Sequence, residues 1–97
     1  MKSTKTTLRY TKTVEIELLV DNCVIVDFKM SGDFFTYPEE AVDFLEEKIK
    51  GCNTPTCISE VFKEVFADVA VLGFDVSDLE KRVIEIFTDV CKGNEPL

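Results

Sequence analysis

Two stretches near the start of the chain alternate apolar and polar residues with a period of two. Between Val14 and Val20, residues Val14, Ile16, Leu18 and Val20 fall on one face and Glu15 and Glu17 on the other. Between Val24 and Met30, residues Val24, Val26, Phe28 and Met30 share a face opposite Asp27 and Lys29. Successive side chains of a strand point to opposite sides, so both runs predict half-buried antiparallel strands. The turn-forming Asp21-Asn22-Cys23 between them predicts a hairpin. Residues directly opposite in a hairpin share a face, so even-numbered apolar residues must oppose even-numbered ones. Val20 opposite Val24, Leu18 opposite Val26 and Ile16 opposite Phe28 satisfy this. A plain two-residue Asp-Asn turn would set Ile16 against Asp27, so an odd-length loop or a bulge is expected. Thr6–Tyr10 is a weaker strand candidate, placed at an edge. Lys2, Lys5, Arg9 and Lys12 among threonines fit a solvated edge strand better than an anion site.

The rest of the chain changes period. Pro38 suits a first helical position, with Glu39 and Glu40 at the positive end of the dipole. Ala41, Leu45 and Ile49 form a stripe with Val42 and Phe44, and Gly51 suits a helix stop. After the loop Cys52-Asn53-Thr54-Pro55-Thr56, residues Ile58, Val61, Phe62, Val65, Phe66 and Val69 recur at three- and four-residue spacing. The stretch Leu72-Gly73-Phe74-Asp75-Val76 breaks that pattern. Ser77 followed by Glu80 matches a capping box, and Leu79, Val83, Ile86, Phe87 and Val90 continue as a third helix. The expectation is one α+β domain over residues 1–97, with strands over about 6–31 and helices over about 38–50, 57–70 and 77–91. The helices would cover one face of a small antiparallel sheet of two or three N-terminal strands.

Composition narrows the function. With 45% hydrophobic and 31% charged residues, the chain has the balance of an ordinary globular protein. Eleven basic residues against 19 acidic ones give a net charge of −8, which argues against a nucleic-acid partner. No apolar run approaches the ~18 residues of a membrane span. The N-terminus lacks the apolar segment of a secretory signal, so a cytoplasmic location is expected. In that reducing setting Cys23, Cys52, Cys57 and Cys91 are expected as small buried or half-buried thiols. A metal reading would need two ligands beyond Cys52 and Cys57, with no histidine to supply them, so no metal residues are assigned.

Catalytic signatures are absent too. There is no histidine for acid–base work and no Gly-rich phosphate-binding or nucleophile-elbow motif. Glu39-Glu40 and Glu46-Glu47 sit on a predicted helix and fit a solvated face. No catalytic residue is assigned. What stands out instead is Ser31-Gly32-Asp33-Phe34-Phe35-Thr36-Tyr37-Pro38. Gly32 lets the chain turn sharply off the strand, and Asp33 can cap that turn. Adjacent Phe34 and Phe35 point to opposite sides of an extended segment. Either both rings pack beneath helices of this domain, or one ring joins Tyr37 on a surface for another protein.

The order strand, hairpin, strand, "SGDFF", proline, acidic helix and glycine resembles the C-terminal accessory domain of lipoate–protein ligases. That domain is a separate small subunit in split, archaeal-type ligases. The resemblance continues through "ISEVFKEVFADVAVLGFDVSDLEKRVIEIF" and spans about Thr7 to Phe87. It implies a fold like the small α+β domains of sulfur-transfer and iron–sulfur scaffold proteins (the SufE/NifU-like fold). It also implies a non-catalytic subunit required, with a catalytic large subunit, for ATP-dependent activation of lipoate to lipoyl-AMP. The lipoyl group then passes to a lysine of a lipoyl domain. The implied partner is that large subunit, in a heterodimer, and indirectly the lipoyl-domain acceptor. ATP, Mg and lipoate would be held in the complex through the large subunit, and none by this chain alone. Ser31, Gly32, Asp33, Phe34, Phe35, Tyr37 and Pro38 are the candidate partner-interface or site-completing loop. An alternative, from another class, is a free-standing sulfur or iron–sulfur handling protein on a similar fold, using Cys52 and Cys57.

Overall fold

The computed structural model describes residues 2–93. The elements run β1 (Lys2–Arg9), β2 (Thr13–Asp21), β3 (Val24–Gly32), β4 (Phe35–Tyr37), α1 (Ala41–Lys48), α2 (Pro55–Phe66), β5 (Ala70–Leu72) and α3 (Val76–Gly93). β1, β2 and β3 form an antiparallel sheet in that order, and β4 pairs with β5 in a separate two-stranded ribbon. The architecture is α+β, with the three helices packed on one face of the larger sheet. β1 is an edge strand, as its lysines suggest, and it begins at Lys2 rather than Thr6.

The alternation in β2 is realised residue by residue: Val14, Ile16, Leu18 and Val20 are all buried, and Glu15 and Glu17 are exposed. Ile16 opposes Met30 and Leu18 opposes Phe28 on the same face. The turn is the two-residue Asn22-Cys23, with φ of 53° and 61°, the left-handed pair that a tight hairpin requires. Parity is restored by a bulge. Leu19 opposes Asp27 but Val20 opposes Ile25, leaving Val26 as the extra residue. The expected bulge is therefore present, but the individual pairs differ from the expected ones. Beyond the bulge the faces exchange: Ile25 is buried and Val26 lies exposed. Met30, Phe28 and Ile25, with the β2 residues, meet Leu45, Ile49, Ile58, Phe62, Leu79, Val83 and Phe87 in one core.

Helix bounds differ from the sequence expectation at several ends, each for a local reason. Pro38 does not open α1. It follows a cis Tyr37–Pro38 bond at the exit of β4, and the helix starts at Ala41 after Glu40. α2 begins at Pro55, earlier than expected, because the Thr54 side chain accepts from the Cys57 amide at 3.1 Å and Pro55 takes the first turn. α2 also ends at Phe66, and part of the stretch assigned to its tail becomes β5. The cap of α3 is Asp75, whose Oδ1 accepts from the Asp78 amide at 3.1 Å, rather than Ser77.

The outer edge of β3 is closed by polar groups from the helical layer. Glu46 Oε2 accepts from the Met30 amide at 2.9 Å, so Glu46 is half-buried rather than part of a solvated face. The Ile25 amide donates to the Cys52 carbonyl, and the Gly51 amide to the Ile25 carbonyl, both at 2.8 Å. These contacts occupy groups that would otherwise template strand addition. Across the domain, the Tyr10 hydroxyl donates to Asp78 Oδ2 at 2.7 Å and ties the end of β1 to α3. Burial, and then the Asp78 carboxylate, push the Tyr10 phenol above its ordinary pKa.

The cysteines are paired, which corrects the expectation of thiols. Cys23 bonds to Cys91, joining the hairpin turn to the end of α3, and Cys52 bonds to Cys57 across the start of α2. The thiol expectation rested on compartment chemistry, whereas the fold places these residues side by side from positions 68 apart in one case.

Candidate partner-docking surface

The distinctive surface of this domain is the β4–β5 ribbon. Phe35 opposes Leu72, Thr36 opposes Val71 and Tyr37 opposes Ala70. Strand alternation then divides the residues. Thr36 is buried, with its hydroxyl donating to the Pro38 carbonyl at 3.1 Å, and Val71 packs against the core. The other face is left in solvent, with Phe35 at 68%, Tyr37 at 78% and Leu72 at 74% of full exposure. These residues, with Ala70 and Glu39, line an open groove of about 200 Å³. A second groove of about 160 Å³ continues beside it, lined by Phe35, Leu72, Gly73, Asp33, Lys12 and Thr11.

The base of the ribbon explains why the two adjacent phenylalanines separate. Phe34 turns inward and meets Phe74 edge-on, with ring centroids 5.1 Å apart. Phe74 meets Phe66 at 6.2 Å, and Phe66 lies 5.8 Å from Phe62 in the core. This chain of rings seats the ribbon and leaves Phe35 on the outside. Gly32 has φ of +149°, and a Cβ there would collide with the Thr13 carbonyl oxygen. Gly73 has φ of +112°, and a Cβ would lie 2.9 Å from Lys12 Cγ and 3.0 Å from Phe34 Cβ. The Lys12 amide donates to the Gly73 carbonyl at 2.9 Å, which fastens the ribbon to the β1–β2 connection.

The candidate residues fall into three groups. Phe35 and Tyr37 lie together on the exposed face, with Asp33 at the neighbouring groove. Phe34 belongs to the support, so the reading that buried both rings is corrected. Ser31 and Gly32 end β3 opposite Glu15 and Val14, and Pro38 follows β4. Asp33 was a candidate turn cap, but its carboxylate has no hydrogen-bond or ion-pair partner among the described residues. Sequence reasoning missed the other half of the surface, Ala70 and Leu72. The available signal was the short apolar run before Gly73, but periodicity cannot distinguish so short a run from a helix tail. Cys52 and Cys57, bonded to each other, present no free thiol pair in this structure. No group of three or more metal-ligating side chains occurs among the described residues. Nor is any helix among them long and apolar enough to cross a membrane.

The fold and this face together define a small α+β module that displays one apolar ribbon. Residues 5–81 match the family model described as the bacterial lipoate protein ligase C-terminus, and the chain belongs to that family, which connects it with lipoylation. No curated protein matches the chain. Its fold is similar to a chain from a solved archaeal lipoylation system, described as a bi-partite lipoate protein ligase and its E2 lipoyl domain from Thermoplasma acidophilum. The two share 22% identity with a TM-score of 0.74, over 82% of this chain and 92% of that one. Those shares mean that the matched chain is also small. At that identity the likeness speaks for the fold.

Proposed function

We propose that this chain is the non-catalytic accessory subunit of a two-part lipoate–protein ligase. In this reading a catalytic large subunit binds ATP, Mg and lipoate, forms lipoyl-AMP and transfers the lipoyl group to a lipoyl-domain lysine. The accessory chain contributes no reacting group. The observation that carries the reading is the exposed face of Phe35, Tyr37 and Leu72 within a domain of the ligase C-terminal family. A clustered apolar face rimmed by polar residues is the mark of a contact surface. Similarity in fold to a chain from a bi-partite ligase system supports the two-part reading.

The physical role follows from the instability of an acyl-adenylate in water. Closing the site excludes water and holds the reactants in line. A subunit can do this by binding the closed form of its partner better than the open form, with no side chain in the chemistry. Phe35 and Tyr37 would make that contact, and Gly32, Phe34 and the ring chain behind them would keep it rigid. The test is lipoyl-adenylate formation by the cognate large subunit, from ATP and lipoate, with and without this chain. Adenylate formed only in its presence is the expected result. Equal formation without it would overturn the proposal.

A further inference from the structure

Two carboxylates line the grooves of the apolar ribbon, and two more lie close to it along the chain. Asp33 and Glu39 line its two grooves, Glu40 follows three residues after Tyr37, and Asp68 stands two residues before β5. All four are exposed, and none has an ion-pair or hydrogen-bond partner for its carboxylate among the described residues. Elsewhere the carboxylates of Asp27, Glu47, Glu64, Asp78 and Glu85 are paired with lysine or arginine, whereas the exposed Glu15, Glu17, Asp43, Glu60 and Asp89 are not. The two grooves contain one cation, Lys12.

From this we infer that the ribbon receives a segment of the catalytic large subunit with an apolar centre flanked by lysines or arginines. The inference rests on the accessory-subunit reading and adds the chemistry of the segment that this surface receives. Apolar contact at Phe35, Tyr37 and Leu72 supplies the buried centre, and the carboxylates supply complementarity at the rim. A second copy of this chain fits poorly. A twofold contact is self-complementary in position, so it would set one unpaired acidic rim against another. The net charge of −8 adds to that repulsion.

The two halves of the surface should separate kinetically. Rim charges govern encounter and its salt dependence, whereas buried anchors govern dissociation. The experiment measures association and dissociation rates of the full chain with the cognate large subunit over a salt series. A chain carrying D33N, E39Q, E40Q and D68N should associate at least about tenfold more slowly at low salt, with a flatter salt dependence. Leu72→Ser should leave association nearly unchanged and speed dissociation about tenfold or more. Circular dichroism verifies that both variants fold. If both variants bind like the parent while adenylation still depends on the chain, this surface is not the contact and the accessory reading stands. If the parent does not bind the large subunit, both fall. Self-association through the ribbon at micromolar concentration, abolished by Leu72→Ser, would also overturn the inference.

Discussion

Phe35 and Leu72 stand directly opposite each other in the β4–β5 pair, and both side chains face away from the core. They come from segments on either side of α1 and α2, and neither is needed to fill the interior. Surface substitutions of this kind usually change stability by no more than about 0.5 kcal/mol. Phe35→Ala should therefore melt close to the parent while stimulating adenylate formation by the large subunit about tenfold less. Parallel thermal melts and adenylation assays check this. Full stimulation by a folded variant would exclude Phe35 from the contact.

Gly32→Ala should behave in the opposite way. A side chain at φ of +149° is strained, and its Cβ would meet the Thr13 carbonyl oxygen, part of the backbone. A loss of ~3 kcal/mol in folding stability is expected, measured as a lower urea midpoint. Because the strain lies at the foot of the ribbon, amide exchange should accelerate over residues 33–37 before the rest of the sheet.

The two disulfides should contribute unequally. Cys23–Cys91 closes a loop with a sequence separation of 68, and Cys52–Cys57 one of 5. Chain-entropy arguments give about 4 kcal/mol for the long loop and about 2 kcal/mol for the short one. A chain with both Cys23→Ser and Cys91→Ser should lose more stability than one with Cys52→Ser and Cys57→Ser. Denaturant unfolding of the two variants under non-reducing conditions tests the order.

Tyr10 predicts a pH dependence. Its folded-state pKa is raised, by burial first and then by Asp78, so the fold favours the neutral phenol. The contribution is fully present below the ordinary tyrosine pKa of about 10 and is lost as pH rises above it. Tyr10→Phe should remove this component from the alkaline limb of the stability curve. It should also lower stability near neutral pH by about 1 kcal/mol through loss of the bond to Asp78. Denaturant titrations of both proteins between neutral and alkaline pH provide the comparison.

What the chain reveals by itself is its local periodicity. Alternation in β2 identifies Val14, Ile16, Leu18 and Val20 as one buried face, and parity alone requires an irregularity in the hairpin, found at Val26. The helical stripes mark Leu45, Ile58, Phe62, Leu79 and Val83 as core, and adjacency sets Phe34 and Phe35 on opposite sides of their segment without fixing which ring is buried. These features follow from the 2.0 and 3.6 periods of backbone geometry, which each segment carries within itself.

Tertiary structure decides what depends on distant partners. Ala70–Leu72 becomes a strand because β4 lies beside it, and only that pairing brings Leu72 next to Phe35. Glu46 leaves the solvated face because an edge amide, Met30, has no strand neighbour on that side. The cysteines pair because folding brings Cys23 to Cys91 and the start of α2 brings Cys57 to Cys52. In each case the deciding interaction joins groups that no local pattern relates. The candidate surface was therefore half legible: Phe35 and Tyr37 from their own segment, Ala70 and Leu72 only once the ribbon had formed.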